Sequence, residues 1–169
     1  MKAGAVSRKQ VPRRSGGSTD YGQDFHAWIF SQVNLLKERQ FDDLDLENLI
    51  EEVEDLGRSL GRELRSRLEV LLAHLLKWRH QSNKRSNSWD LTIFHQRIRI
   101  QQLLEESPSL KATLPEVIRK VYPIAQKQAG KEMRLDKFQW ARIFPAECPW
   151  TVEQILDEDY LPNGARARG

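Results

Sequence analysis

The chain has 169 residues, of which 39% are hydrophobic and 30% are charged, with a formal net charge of +3. This composition is typical of a soluble protein with one domain and tails, and no apolar run approaches the roughly 20 residues that a transmembrane helix needs. A single cysteine, Cys148, excludes an internal disulfide and a cysteine-based zinc site. We expect no membrane association, and the N-terminus lacks a signal-peptide core, which favours a cytoplasmic protein.

The positive charge lies at the two ends of the chain. Residues 1–20 contain five basic residues against Asp20 alone, and Arg166 and Arg168 lie near the C-terminus. Residues 21–165 therefore hold 20 basic and 23 acidic residues, a net charge of −3. This pattern predicts disordered tails at residues 1–19 and 163–169, although a basic tail can also touch nucleic acid or anionic lipid. Between the tails we predict a single all-helical domain over residues 20–162.

The first predicted helix begins after Asp20 or Asp24, either of which can cap it, and ends near Arg39. One face of this helix is apolar except for Gln32 and consists of Phe25, Trp28, Ile29, Gln32, Leu35 and Leu36. The connection over residues 40–44 is short, so we expect the first and second helices to be antiparallel neighbours.

The second predicted helix has the most regular pattern in the sequence. Apolar residues or glycines recur about every 3.6 residues along it. They are Leu46, Ile50, Val53, Gly57, Leu60, Leu64, Leu68, Leu71 and Leu75. The pattern predicts one continuous spine helix over about residues 45–79, opened by Asp43 or Asp45 and roughly 45 Å long between its first and last apolar positions. Gly57 and Gly61 are expected on its buried side, where they permit close packing. The predicted fold is an all-α bundle around this spine helix.

A third helix is predicted from Trp89 to about Glu106, with Ser86 or Ser88 as its cap. Two of its sides are apolar, and Leu91, Phe94 and Ile98 form the second stripe. A helix of this kind is typically packed between others, so we place it centrally.

Short helices are predicted in the C-terminal third. One covers about residues 115–128, is kinked by Pro123 and is stopped by Gly130. Residues 131–147 have no clear helical pattern. Thr151 and Gln154 form a capping box that opens a last helix ending near Asp157.

Four longer segments and one short one combine aromatic, acidic and proline residues in a fixed order. They are Tyr21–Trp28 (YGQDFHAW), Asp45–Ser59 (DLENLIEEVEDLGRS), Leu75–Gln81 (LLKWRHQ) with Ser88 and Trp89, Phe144–Pro162 (FPAECPWTVEQILDEDYLP) and the weaker Ser107–Leu110 (SPSL). Together they resemble domain-of-unknown-function family 29, a group of small, mostly bacterial helical proteins. The resemblance implies an all-helical bundle and assigns no reaction, ligand or partner. His26, Gly61, Pro115 and Pro123 depart from the family pattern.

Three carboxylates, Glu47, Glu51 and Glu54, follow one another at helical spacing along one edge of the spine helix. Such carboxylates, joined by a histidine, build metal sites in helical bundles. The candidate histidines are His26, His74 and His95. A chelate with His74 on the same helix is excluded, since that residue lies about 35 Å beyond Glu51.

The alternative interpretation is a charged helix edge. Arg58, Arg62 and Arg65 continue the same edge, and Glu54 with Arg58 is a favourable i,i+4 pair. The sequence favours this interpretation, and we predict no cofactor. His74 is then a bundle histidine hydrogen-bonded to a neighbour.

A second candidate site surrounds the polar connection over residues 81–88. Its members are Lys77, Arg79, Lys84 and Arg85 with the aromatic Trp89. Basic residues beside an aromatic ring can hold phosphates and stack bases, so these are candidates for nucleic-acid or anion contact. Lys77 and Arg79 also lie at the C-terminal end of the spine helix, where its dipole favours cations in any case.

No motif in the sequence arranges a nucleophile, a base and an electrophile. We therefore expect a non-enzymatic interaction protein that binds another macromolecule through its helix faces or its basic loop. A protein partner or self-association is favoured, and nucleic acid is possible. The alternative is a metal-binding bundle enzyme that uses the spine carboxylates and a histidine.

Overall fold

The computed structural model describes residues 21–162, except for the side chain of Lys137. Six α-helices follow one another: α1 (Phe25–Lys37), α2 (Leu46–His80), α3 (Asn87–Glu106), α4 (Leu114–Glu132), α5 (Lys137–Ile143) and α6 (Val152–Leu156). Short 3-10 turns lie at Phe41–Asp43, Ser82–Lys84 and Pro108–Thr113. No strand occurs within residues 21–162, so the predicted all-α class is confirmed. None of the helices in this range is long and apolar enough to cross a membrane.

The chain divides into two compact units, with the boundary between Asp55 and Leu56. The single domain predicted over residues 20–162 stays a prediction. The tails predicted at residues 1–19 and 163–169 lie outside the described residues.

The predicted spine is confirmed as the 35-residue helix α2, which is continuous through Gly57 and Gly61. The expectation that both glycines are buried is wrong. Gly57 is exposed and Gly61 half-buried, and a Cβ added at either position would meet nothing within 4 Å. Within residues 21–162, these glycines therefore pack against no other helix.

In residues 21–55, α1 is joined to the start of α2 by buried hydrogen bonds. Asp24 caps α1 by accepting from the Ala27 N–H at 2.9 Å. The buried Gln32 accepts from the backbone N–H of Asp45 at 2.8 Å, and the indole of buried Trp28 donates to the Asp45 carboxylate at 3.2 Å. Gln32, the one polar residue on the predicted apolar face of α1, thus binds the connection between α1 and α2. The other members of that face, Phe25, Ile29, Leu35 and Leu36, are exposed or half-buried.

In residues 56–162, the core forms around the C-terminal half of α2. Its fully buried side chains include Leu64, Leu68, Leu71, Leu72, Leu75, Leu76 and Trp78. Ile93 and Ile100 of α3, Val121 and Ala125 of α4, and Ile155 of α6 complete it. Burying side chains of this size stabilises the fold by roughly 1.5–3 kcal/mol each.

A buried arginine holds the C-terminal segment to this core. Arg97 is 0% exposed and donates to the carbonyls of Ile155 at 2.8 Å, Gln154 at 3.3 Å and Glu158 at 3.4 Å. These carbonyls lie at the end of α6, where the last turn leaves acceptors without partners inside the helix. The guanidinium supplies several donors in one rigid group, so Arg97 is a structural cation.

The C-terminal half departs from the sequence predictions at three places. Gly130 does not stop α4 but lies buried inside it. The Trp140 side chain packs against this glycine, with its nearest atoms 3.0–3.1 Å from where a Cβ would be. Residues 131–147 are not all irregular, since a capping box of Asp136 and Gln139 opens α5. The second stripe of α3 is not packed between helices, since Leu91 and Phe94 are exposed.

We predict opposite stability changes for alanine at the two kinds of helical glycine. Gly61→Ala should stabilise the protein by about 0.5–1 kcal/mol, because the site has open space and alanine favours the helix. Gly130→Ala should destabilise it by about 1 kcal/mol, because overpacking against Trp140 exceeds the gain in helix propensity. Urea unfolding followed by circular dichroism measures both, and a stabilised Gly130→Ala variant would contradict the packing described.

Candidate functional site: an exposed apolar row on α2

One apolar stripe runs along the whole of α2 but is covered over only part of it. At about 100° per residue, positions 46, 50, 53, 57, 60, 64, 68, 71 and 75 all point within about 40° of one direction. In the C-terminal half this direction faces the core, where Leu64, Leu68, Leu71 and Leu75 are 0% exposed. In the N-terminal half Leu46 is 58% exposed, Ile50 51% and Val53 63%. Leu56, at the edge of the stripe, is 66% exposed. We call Leu46, Ile50, Val53 and Leu56 the exposed row.

Helix α1 packs against a different side of α2. Trp28 and Gln32 of α1 hydrogen-bond to Asp45, which precedes α2, and the hydroxyl of Tyr21, which precedes α1, donates to Glu52 at 2.5 Å. Asp45 and Glu52 lie roughly 100–120° around the helix from the centre of the apolar stripe, on the side where Leu56 marks its edge. Helix α1 therefore leaves the row uncovered.

The row lies within an acidic stretch of the chain, and a basic stretch follows it along α2. Residues 42–55 contain eight carboxylates and no basic residue, whereas residues 58–67 contain four arginines and Glu63. Glu47, Glu51 and Glu54, followed by Arg58, Arg62 and Arg65, lie on one side of α2, and all six are exposed. We call these six residues the charged edge.

The structure does not gather the metal-site candidates. Glu47, Glu51 and Glu54 are exposed on α2, while His26 on α1 and His95 on α3 are exposed as well. Among residues 21–162, no group of three or more His, Cys, Asp or Glu side chains is placed to hold a metal ion. The metal interpretation has no supporting cluster in this part of the chain.

His74 is the bundle histidine that the sequence suggests. Its Nδ1 lies 2.9 Å from the Val70 carbonyl, and its Nε2 lies 3.2 Å from the Lys77 ammonium. The imidazole therefore donates from Nδ1 and accepts at Nε2, which requires the neutral tautomer. Burial lowers the pKa of His74 below its usual 6.5, and the charge of Lys77 lowers it further.

The basic candidates of the 81–88 connection divide into buried and accessible groups. Lys77 is only 4% exposed, donates to Glu132, and lies 4.6 Å from the Trp89 ring centroid. Arg85 donates to the Trp78 carbonyl at 3.0 Å. Arg79 is half-buried and Lys84 is exposed. An anion would reach Lys84 most directly and the Lys77 ammonium hardly at all.

A cavity of about 360 Å³ lies between α4 and residues 146–152. Two of its polar groups are turned to the chain's own backbone: the Tyr122 hydroxyl donates to the Pro145 carbonyl at 3.2 Å, and the Cys148 thiol to the Trp150 carbonyl at 3.7 Å. Burial raises the pKa of the Cys148 thiol and raises that of Tyr122 to about 12. Arg119 and Glu147 also line the cavity and are exposed.

The helical periodicity of the sequence identifies the residues of the row but predicts that they are buried in the core, whereas they are exposed. A length comparison could have found its exposure, because the 13 residues of α1 span about 20 Å and the 35 residues of α2 about 52 Å. One short neighbour cannot cover both the side facing Asp45 and the apolar stripe.

A family model described as Domain of unknown function DUF29 matches residues 21–161. Comparisons with curated proteins and with solved structures found no match.

The lowered pKa of His74 predicts a pH dependence of stability. The unfolded chain takes up a proton at pH values where the folded His74 stays neutral, so stability is fully present above 6.5 and is lost as pH falls toward the lowered pKa. His74→Gln should therefore flatten the unfolding free energy between about pH 7 and about pH 5. The exposed His26 serves as the control through His26→Gln. An unchanged slope in the His74→Gln variant, measured by urea unfolding, would contradict the assignment.

Proposed function

Because the chain belongs to the family described as Domain of unknown function DUF29, whose description assigns no activity, we propose a function from the geometry of its surface. The protein is a non-enzymatic interaction module that binds a helical segment of a polypeptide along the exposed row of α2. A segment with an apolar stripe of its own, and with basic residues toward the acidic part of α2, matches this surface.

The observation that carries the proposal is the unbroken stripe of α2. The same helix face is sealed by the core at Leu64 and beyond, and is open at Ile50 and Val53. Contiguous apolar surface on a soluble protein typically marks an interaction site. A partner helix packed on the row would repeat the arrangement that already stabilises the C-terminal half.

The row contributes a moderate binding energy. Fully burying a Val, Leu or Ile side chain is worth roughly 1.5–3 kcal/mol, and the row's four side chains are about half exposed. Covering all four gains about 4 kcal/mol, which alone does not exceed the cost of association. The partner must therefore add contacts, and the exposed Phe30 and Phe41 of residues 21–55 provide further apolar surface.

The polar groups of residues 56–162 support a non-enzymatic role. The Cys148 thiol and the Tyr122 phenol are kept protonated by burial, since their pKa values are raised. Lys77 is enclosed by Glu132, His74 and Trp89. These groups are engaged within the fold, whereas the side chains of the exposed row are more than half exposed among the described residues.

The cellular setting is part of the same proposal. We place the protein in the cytoplasm of a bacterium. The resemblance to a mostly bacterial family and the free thiol of Cys148, which suits a reducing compartment, support this placement.

Val53→Glu tests the proposal, because a carboxylate in the middle of the row should prevent an apolar partner from packing there. Tagged wild type should retain a stoichiometric polypeptide, identified by mass spectrometry, that the variant loses or binds at least roughly tenfold more weakly. Val53 is exposed, so the variant should fold normally by circular dichroism. Leu91→Glu on α3, at 48% exposure, is the matched control. Equal retention by Val53→Glu and wild type would refute a docking role for the row.

A further inference from the structure

We propose that a basic segment near the N-terminus of this chain, residues 8–14 (RKQVPRR), docks on the exposed row and competes there with the polypeptide partner. This inference rests on the proposed function, since it names a regulation of the same row. It uses only the members of the row that belong to the first compact unit, which are Leu46, Ile50 and Val53. The charge around these side chains, the residue order of the segment and the point where it joins the described structure support it.

The part of the chain that carries these three side chains is strongly acidic. Residues 21–55 contain ten carboxylates and two basic residues, Lys37 and Arg39, which gives a net charge of −8. Glu47 and Glu51 are exposed on the same turns of α2 as the row. Carboxylates beside an apolar surface repel acidic segments and attract basic ones. The occupant that fits this surface is therefore basic as well as apolar.

The N-terminal segment has this composition. Residues 1–20 carry five basic residues and one acidic residue, a net charge of +4. Four of the five basic residues fall within residues 8–14, as one pair at each end. Val11 and Pro12 lie between the two pairs. This order sets apolar side chains between cations, which is complementary to an apolar row among carboxylates.

The chain enters the described structure beside the row. Tyr21 is the first described residue, and its ring centroid lies 4.8 Å from that of the buried Trp28. Its hydroxyl donates to Glu52 of α2 at 2.5 Å. Glu52 adjoins Val53 along the helix and lies roughly 120° around it from the centre of the apolar stripe. The segment therefore starts level with the row.

The length of the connection allows the segment to reach the row. Arg14 precedes Tyr21 by seven residues, which span at most about 25 Å. The row is about 10 Å long between Leu46 and Val53. Residues 8–14 can thus lie along these side chains while Tyr21 keeps its contacts with Trp28 and Glu52.

The covalent connection makes a weak contact effective. A segment held by a short linker meets its site at an effective concentration on the order of 1 mM. At a Kd of about 100 μM for the row, it then occupies the row about 90% of the time. An occupancy of this size lowers the apparent affinity of a competing partner roughly tenfold.

A pair of charge reversals in the purified 169-residue chain tests the docking. Arg13→Glu with Arg14→Glu, which we call the segment variant, reduces the net charge of residues 1–20 from +4 to zero. The matched control is Arg166→Glu with Arg168→Glu, which makes the same change of charge near the other end of the chain.

Methyl NMR of Leu46, Ile50 and Val53 is the readout. These methyl signals should shift in the segment variant relative to wild type and stay unchanged in the control. High salt should move the wild-type signals toward those of the segment variant, because exposed charges contribute to the contact. The wild-type signals should not depend on protein concentration, since the segment and the row belong to the same molecule.

A synthetic peptide of residues 1–20 tests the competition. Added to the segment variant, it should restore the wild-type methyl signals with a Kd of about 100 μM. It should bind wild type at least roughly fivefold more weakly, because the chain's own segment already occupies the row. The same peptide carrying Arg13→Glu and Arg14→Glu is the control and should cause no shift.

Two results would overturn the inference. Methyl signals of the row that are the same in wild type and in the segment variant show that no segment is docked. If Val53→Glu still loses its polypeptide in the retention experiment, the proposed function then stands with an open row. Shifts that appear only as the protein concentration rises place the segment on a second copy. Conversely, docking as described together with full retention by Val53→Glu supports the segment on the row and refutes the proposed function.

Discussion

Helix α2 carries one apolar stripe over 35 residues, and residues 56–162 form a core around its C-terminal half. A continuous helix cannot turn its stripe away from water partway along, because the period fixes the direction of every side chain. Within residues 21–162, the part of the stripe outside this core is exposed. The placement of Leu46, Ile50 and Val53 on the surface follows from this constraint, and so does the proposed interaction.

Two buried cations hold the core of residues 56–162 together. Arg97 donates hydrogen bonds to carbonyls at the end of α6, and Lys77 lies between Glu132 and the Trp89 ring. Burial by itself raises the pKa of Glu132, but hydrogen bonds from Lys77 and Gln128 outweigh it and lower the net pKa. Buried charges of this kind persist when they are paired, and removing one partner leaves the other uncompensated.

Much of the fold could be predicted from the sequence, because helical periodicity and capping are local signals. The spine helix and the Thr151 capping box are examples. The burial of each helix face was harder to predict from the sequence, because it depends on which other parts of the chain pack against that face. The apolar spacing of the stripe is the same in both halves of α2, so the sequence does not distinguish the exposed Leu46 from the buried Leu64. Gly130 reads as a helix stop, yet the distant Trp140 makes it a packing position. The capping box of Asp136 and Gln139 is also a local signal, so the start of α5 could have been predicted from the sequence.

The most direct test is amide hydrogen exchange along α2 in dilute solution. Amides of residues 64–78 should exchange slowly, because the core must open to release them, and those of residues 47–56 should exchange at least roughly 100-fold faster. Equal protection along all of α2 in dilute solution would contradict the claim that the stripe is buried in one half and open in the other.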